Sequence, residues 1–232
     1  LGTANYSWPR CGELDLMEVI KDIRTRKGAN LNLKGGAEKI LDKTVSPSSF
    51  AIRPDDFFGI APKLILKEGA SVKLGSPIFF SKKNPNIKFV SPVAGTITSV
   101  VRGPKRKIEN IIIKASNKQD SIKHSVSGWD KKNRDDLKSL LTSSGNWPFI
   151  HQRPYGTIAN PTDTPKAIFV STVKTDPLHG DLQFILKDQK NDFQLGINLL
   201  NKLVDQPVFL GVEKEFSDYF ESIEGVQHYT VR

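Results

Sequence analysis

The feature that most constrains this chain is a series of short apolar runs between residues 62 and 115. Glycine, proline and asparagine separate each run from the next, and each glycine or proline marks a place where the backbone needs a positive or a fixed φ. Strands this short and this evenly spaced are typical of a small β-sandwich or barrel. We therefore predict an all-β domain, with strands at 64–66, 78–80, 87–90, 96–101 and 111–113.

Two phrases in this region resemble the paired half-motifs of biotinyl and lipoyl domains: KEGASVKLGSP at 67–77 and SPVAGTI at 91–97. The resemblance implies a barrel-sandwich hybrid, in which a lysine at a hairpin tip carries the cofactor. In this sequence the position of that lysine, counted back from Pro92, is occupied by Asn84. We predict a rigid turn at Asn84 and Pro85. Lys82 and Lys83 lie nearby but out of place. We expect the fold without a covalently bound cofactor, and a biotinyl or lipoyl carrier stays open as an alternative.

Length and composition fit one large or two ordinary domains, since the chain has 232 residues. No apolar run approaches the about 18 residues that a membrane-spanning helix needs. Residues 1–16 lack the basic start and apolar core of a signal peptide. One cysteine excludes an intrachain disulfide and a cysteine-built metal site. We therefore expect a cytosolic chain with no metal. Met17 is the only methionine, so we interpret residues 1–16 as an upstream extension or a cloning remnant.

The net charge of +9 would favour association with an anionic partner. Most of the charge is spread along the chain, and only residues 102–107 (RGPKRK) concentrate it. No recognition helix, zinc finger or stripe of alternating aromatic and basic residues accompanies them, so we do not expect nucleic-acid binding. The basic side chains of this segment are instead candidates for docking an acidic partner: Arg102, Lys105, Arg106 and Lys107.

Beyond residue 115 the pattern changes from short strands to alternating strands and helices. Residues 116–155 predict a linker with a short amphipathic helix at 130–141. Residues 156–232 predict a Rossmann-like α/β domain, with strands at 166–173, 207–212 and 226–231 and helices at 188–204 and 213–220. The loop at 171–177 lacks the glycines that a pyrophosphate needs, which disfavours a dinucleotide enzyme. The predicted class is a barrel-sandwich hybrid β domain at 17–115 followed by an α/β domain.

Two aromatic clusters are poorly explained by strand periodicity. Phe57 and Phe58 are adjacent, so they cannot both point inward in an extended segment, and we expect one to be exposed. The second cluster, at 147–155, contains Phe149, Arg153 and Tyr155. Aromatic walls with an arginine donor suit a flat conjugated ligand that carries a carbonyl. The alternative is an interdomain strap whose aromatic residues belong to the core.

A more specific resemblance rests on several sequence motifs and their order: AIRPDDFFGIAPK, KEGASVKLGSP, KKNP, FVSPVAG, RGPKRK, QRPY and KAIFV. Together they resemble the A subunit of the bacterial Na+-translocating NADH:quinone oxidoreductase. The match runs from about residue 24 to the end and is densest over 51–114. Family members are roughly twice this long, so the resemblance implies an N-terminal portion of such a chain.

The resemblance implies a peripheral subunit on the cytoplasmic face of the bacterial inner membrane. The whole complex passes electrons from NADH to ubiquinone or menaquinone and exports Na+, and NADH and flavins bind other subunits. The implied α/β domain kept the shape of a flavin-binding domain and lost the cofactor. We expect the other subunits as partners, membrane attachment through them only, no catalytic residue in this chain and a quinone as ligand. The candidate quinone-binding residues are Phe57, Phe58, Phe149, Arg153 and Tyr155; a purely structural docking subunit is the alternative.

Overall fold

The computed structural model describes residues 22–23, 33–35, 38–41, 47–173, 179–213 and 217–231. The chain divides into two compact units. The first, called the β unit here, comprises residues 40–166 and 198–205; the second, the α/β unit, comprises residues 1–39, 167–197 and 206–232. The expectations for residues 1–16 and for most of the loop at 171–177 lie outside the described residues.

The described strands and helices follow each other in a mixed order. The strands are β1 (Asp22–Ile23), β2 (Ser49–Ile52), β3 (Pro62–Leu64), β4 (Ser71–Val72), β5 (Pro77–Ser81), β6 (Asn84–Val90), β7 (Gly95–Arg102), β8 (Ile108–Ala115), β9 (His151–Gln152), β10 (Thr157–Ile158), β11 (Phe169–Ser171), β12 (Val208–Glu213) and β13 (Val226–Val231). The α-helices are α1 (Arg134–Ser143), α2 (Leu182–Leu186), α3 (Lys190–Asn201) and α4 (Ser217–Glu221).

The described part of the β unit contains two larger antiparallel sheets, with strand orders β2-β8-β7-β4 and β3-β5-β6, and the two-stranded antiparallel sheet β9-β10. Side chains that alternate along these strands form its core, because every second residue of a strand faces the same side. Ile97 lies opposite Ile113 and Phe79 lies opposite Phe89 in register. Alternation accounts for the complete burial of Ile97, Ile111 and Ile113. Ile78 and Phe79 are adjacent and also fully buried, at a register shift in the pairing of β5 with β6. Four of the five predicted strands lie within β5, β6, β7 and β8, whereas the strand predicted at 64–66 coincides with β3 only at Leu64. The predicted fold class is confirmed.

The turn between β5 and β6 differs from the prediction. Ser81 pairs with Asn84, so Lys82 and Lys83 form the turn and Asn84 begins the next strand. The predicted turn at Asn84 and Pro85 is therefore wrong. The reason is the position of β6 at the edge of its sheet, where a proline without a backbone N–H leaves no ladder bond unmade.

The linker helix begins later than predicted. Residues Trp129–Lys131 form a short 3-10 turn, and α1 begins at Arg134, where the Asn133 side chain accepts a hydrogen bond of 2.8 Å from the Asp136 N–H. Such an N-cap satisfies one of the free donors of the first helical turn. The helix buries Leu137 completely and packs against β6. It therefore belongs to the β unit rather than standing free between two domains.

The α/β unit is a parallel sheet in the order β1-β13-β12-β11. All residues from Val208 to Val212 in β12 are buried, as in a strand covered on both faces. The predicted alternation of strands and helices is confirmed, although β11 and α3 are shorter than predicted and α2 was not predicted. The helix predicted at 213–220 is described only in part, since residues 214–216 lie outside the described residues. β1 was not predicted as part of this sheet, and it places Asp22 and Ile23 in the α/β unit rather than in the sandwich.

Candidate functional site

The loop between β2 and β3 presents the first aromatic cluster. It opens with a 3-10 turn, Pro54–Asp56, whose proline is buried. The ring of Phe57 is half-buried and meets the ring of Phe89 edge-on, with centroids 4.6 Å apart. Phe58 is 68% exposed. The expectation that one of the two is exposed is confirmed, and Phe57 serves as the anchor of the loop.

The second cluster lies on a short hairpin that is fixed by a buried tryptophan. Trp147 is 4% exposed, and its indole Nε1–H donates to the Ala159 carbonyl at 2.7 Å. After the 3-10 turn Trp147–Phe149 the chain forms β9 and β10, and the Arg153–Pro154 bond between them is cis. Trp147 therefore belongs to the core, as expected if this segment is an interdomain strap. The other candidates of this cluster are exposed: Phe149 at 74%, Tyr155 at 79%, and Arg153.

The fold brings the two clusters together within the β unit. Gly59 has a φ of +78°, and a Cβ at this position would lie 3.6 Å from the Thr157 Cγ2. The backbone of the loop that carries Phe58 therefore lies next to the hairpin that carries Tyr155. We call Phe58, Phe149, Arg153 and Tyr155 the aromatic surface. Among the described residues no ring contact pairs its three aromatic side chains, so they are not held by one another.

The side chains of the aromatic surface can stack on a flat group and donate a hydrogen bond. Its rings offer flat apolar faces, and the Arg153 guanidinium can donate to a carbonyl oxygen or a carboxylate. A hydrogen bond from the Arg134 guanidinium lowers the pKa of the solvent-exposed Asp205 carboxyl, and burial raises the pKa of Tyr229.

The basic segment forms the connection between β7 and β8. Lys107 is engaged with Asp55 at 2.7 Å, an ion pair that joins this segment to the loop of Phe57 and Phe58. No sequence pattern indicated this pair, because the two residues lie about fifty positions apart and both resemble ordinary surface charges. Arg102, Lys105 and Arg106 are exposed.

The lysines near the place of a carrier lysine lie at a hairpin tip. Lys82 and Lys83 are exposed and form the β5–β6 turn. The turn is held at both sides: the Lys82 N–H donates to the Ala61 carbonyl at 2.8 Å, and the Asn84 Nδ2 donates to the Asn160 Oδ1 at 3.2 Å. The tip therefore packs against neighbouring segments rather than projecting freely.

One structural finding concerns membranes. Across the part of the chain that the structure describes, no helix combines the length and the apolar character that crossing a bilayer requires.

Two family models match the chain. The first, described as the NqrA N-terminal barrel-sandwich hybrid domain, matches residues 23–116, and the second, described as the NqrA second alpha/beta domain, matches residues 132–232. The first range contains the loop of Phe58 and the basic segment. The second contains the hairpin of Phe149, Arg153 and Tyr155.

Curated relatives give the same result. Three of them are named as the A subunit of a Na(+)-translocating NADH-quinone reductase. The protein of Alcanivorax borkumensis is 31% identical over 191 residues, which cover 81% of this chain and 43% of the relative. The protein of Rhodopirellula baltica is 31% identical over 208 residues, with 88% and 46% covered. The protein of Pasteurella multocida is 30% identical over 190 residues, with 81% and 43% covered.

The chain thus spans less than half the length of the curated relatives that it matches. The resemblance noted in the sequence is confirmed over both units. The chain belongs to the NqrA family, the A subunits of the Na(+)-translocating NADH-quinone reductases, and it matches the N-terminal barrel-sandwich hybrid domain and the second alpha/beta domain of that family.

Proposed function

We propose that this chain works within a peripheral subunit of a respiratory complex that transfers electrons from NADH to a quinone and exports Na+, and that its aromatic surface contributes to the quinone-binding site. Membership of the family supports the first part, because the relatives are named as subunits of such a reductase. In this proposal the other subunits bind NADH and the flavins and hold the chain at the cytoplasmic face of the inner membrane.

The observation that carries the second part is the exposure of three large aromatic side chains on neighbouring segments. Phe58, Phe149 and Tyr155 are all more than two-thirds exposed, although burial of such a side chain is worth about 1.5–3 kcal/mol. Clustered exposed apolar groups mark contact sites for ligands or partners. A quinone head group is a flat ring with two carbonyls, so it would stack on an aromatic face and accept a hydrogen bond from Arg153.

The experiment that tests this proposal measures quinone reduction by the whole complex. Phe58→Ala and Tyr155→Ala should each raise the KM for quinone about fivefold or more, because each removes one stacking face. NADH oxidation by an artificial acceptor that bypasses the quinone should keep its rate. The matched control is Phe169→Ala, which removes an aromatic side chain that is 65% exposed but belongs to the α/β unit. An unchanged KM in both test variants contradicts the proposal.

A second candidate is a purely structural role, in which a partner subunit covers the aromatic surface. The exposed basic segment beside the loop of Phe58 favours it, because the Lys107–Asp55 ion pair places charged and aromatic groups on neighbouring segments. In that case Phe58→Ala and Tyr155→Ala would release the chain from the complex and leave the KM for quinone of the intact complexes unchanged.

A further inference from the structure

The connection between β7 and β8 contains a strained turn at residues 104–107. The Lys107 N–H donates to the Pro104 carbonyl at 3.2 Å, and the two central residues have positive φ, 55° at Lys105 and 60° at Arg106. Positive φ at both central positions defines a type I′ turn, which asparagine and glycine favour. A lysine and an arginine in these positions are strained, because a Cβ clashes with the backbone in the left-handed region.

Neighbouring groups hold this turn in place. The Arg102 guanidinium donates to the Arg106 carbonyl at 3.2 Å, and the Gly103 N–H donates to the Lys107 carbonyl at 2.8 Å. The Lys107 ammonium is paired with Asp55. These contacts involve every basic side chain of the segment except two. Lys105 and Arg106 are exposed, and among the described residues neither forms an ion pair.

A second hairpin in the same unit shows that two cations at a tip do not by themselves require this strain. The β5–β6 turn also presents two exposed basic residues, Lys82 and Lys83, and neither has a positive φ. Strained backbone persists in a native structure only where its surroundings enforce it, and such outliers cluster at functional sites. The strain at Lys105 and Arg106 therefore calls for a reason other than charge display.

We propose that the turn at 104–107 is a preorganised docking contact for a folded protein partner that presents carboxylates, with Lys105 and Arg106 as the contacting residues. A fixed turn holds a guanidinium and an ammonium in one arrangement, which matches a fixed pair of carboxylates and lowers the entropy lost on binding. This proposal is independent of quinone binding at the aromatic surface.

A protein surface fits these observations better than an anionic membrane. Lipid headgroups are mobile and accept any arrangement of cations, so a bilayer gives no reason for a strained turn. The base of the turn also carries acidic groups, so this surface presents localised cations rather than a uniformly basic face. Asp55 and Asp56 lie in the adjoining loop, and a Cβ on Gly103 would overlap the Glu109 carboxylate.

The test uses Lys105→Asn/Arg106→Gly, which removes both charges and supplies the residues that a type I′ turn favours. The backbone carbonyl that Arg102 contacts is retained, so the variant should fold. Its Tm should rise by about 2–4 °C, because the strain is relieved. The matched control is Lys82→Asn/Lys83→Gly at the other tip, where no strained φ exists to relieve and the Tm should not rise. A fall in the Tm of the first variant overturns the claim of strain.

Docking is measured as the fraction of full-length protein retained on membranes of cells that also make the partner subunits, at about 150 mM salt. Lys105→Asn/Arg106→Gly should lower retention about tenfold, and the control should leave it unchanged. Unchanged retention of the first variant overturns the proposal. Equal loss from protein-free phosphatidylglycerol vesicles also overturns it, because the contact would then be a lipid surface.

Zero-length carbodiimide coupling identifies what Lys105 touches, because it joins an ammonium only to a carboxylate in direct contact. On the same membranes, Lys105 should form an isopeptide bond with an aspartate or glutamate of another polypeptide. Coupling only to Asp55, Asp56 or Glu109 of its own chain overturns the proposal. Neither membrane retention nor carbodiimide coupling depends on the aromatic surface. A negative result in these experiments therefore does not contradict quinone binding, and a negative result for quinone binding does not contradict docking.

Discussion

The adjacent residues Phe57 and Phe58 offer a direct comparison of packing and binding. Both are phenylalanines in one loop, yet Phe57 packs edge-on against Phe89 and Phe58 is 68% exposed. Replacing each by alanine removes the same atoms from two different environments. We expect Phe57→Ala to destabilise the fold and Phe58→Ala to weaken quinone binding with little effect on stability.

The burial of each ring sets how much free energy of unfolding its replacement by alanine should remove. Complete burial of a phenylalanine side chain is worth about 1.5–3 kcal/mol, so Phe58, with a third of its surface buried, contributes about 0.5–1 kcal/mol at most. Phe57 buries more than half of its surface and gains about 0.5–1.5 kcal/mol from the edge-on pair with Phe89. Its truncation should therefore lower the free energy of unfolding by about 2–4 kcal/mol.

Urea unfolding followed by far-UV circular dichroism gives both free energies, and titration with a soluble quinone gives both dissociation constants. Phe58→Ala should raise the dissociation constant about fivefold or more. If Phe58→Ala lowers the free energy of unfolding as much as Phe57→Ala does, the assignment of the two side chains is refuted. A double replacement of Phe57 and Phe89 that shows no coupling would refute the ring pair.

Three further predictions follow from other parts of the structure. Gly95→Ala should lower the free energy of unfolding by about 3 kcal/mol in urea titrations, because its Cβ would lie 2.1 Å from the Lys114 carbonyl oxygen of the neighbouring strand. Burial raises the pKa of Tyr229, so its neutral form stabilises the fold below about pH 10 and this contribution is lost as the pH rises further. Unfolding measured from about pH 8 to 11.5 should accordingly depend less on pH in Tyr229→Phe. In peptide mass spectra of protein purified from cells, the peptides that contain Lys82 and Lys83 should carry no added mass; a biotinyl or lipoyl group on either lysine would contradict the expectation of no covalent cofactor.

The sandwich strands were predictable because a single local rule produces them. Apolar runs broken by glycine and proline fix both the strands and the turns, and the buried series of Ile97, Ile111 and Ile113 follows from alternation alone. The same rule failed at Asn84 and Pro85, because a proline that marks a turn in most contexts is also tolerated on an edge strand. Edge position is a property of the sheet and is absent from the local sequence.

The residues of the candidate site could be predicted from the sequence, but the way the fold brings them together could not. Adjacent phenylalanines predicted that one ring is exposed, and Phe58 is that ring. The proximity of Gly59 to Thr157 and the ion pair of Lys107 with Asp55 bring together segments that are distant in sequence, and no local pattern encodes them. The strained turn was equally hidden, because a lysine followed by an arginine is not the signature of a type I′ turn.

The central claim is that the loop of Phe58 and the hairpin of Tyr155 form one quinone-binding surface. Its most direct test is labelling of the complex with a photoactivatable quinone, followed by mass spectrometry of the labelled peptides. The account predicts label on both segments, at residues 57–59 and 149–155, and competition by unlabelled quinone. Label that falls wholly outside both segments would contradict it.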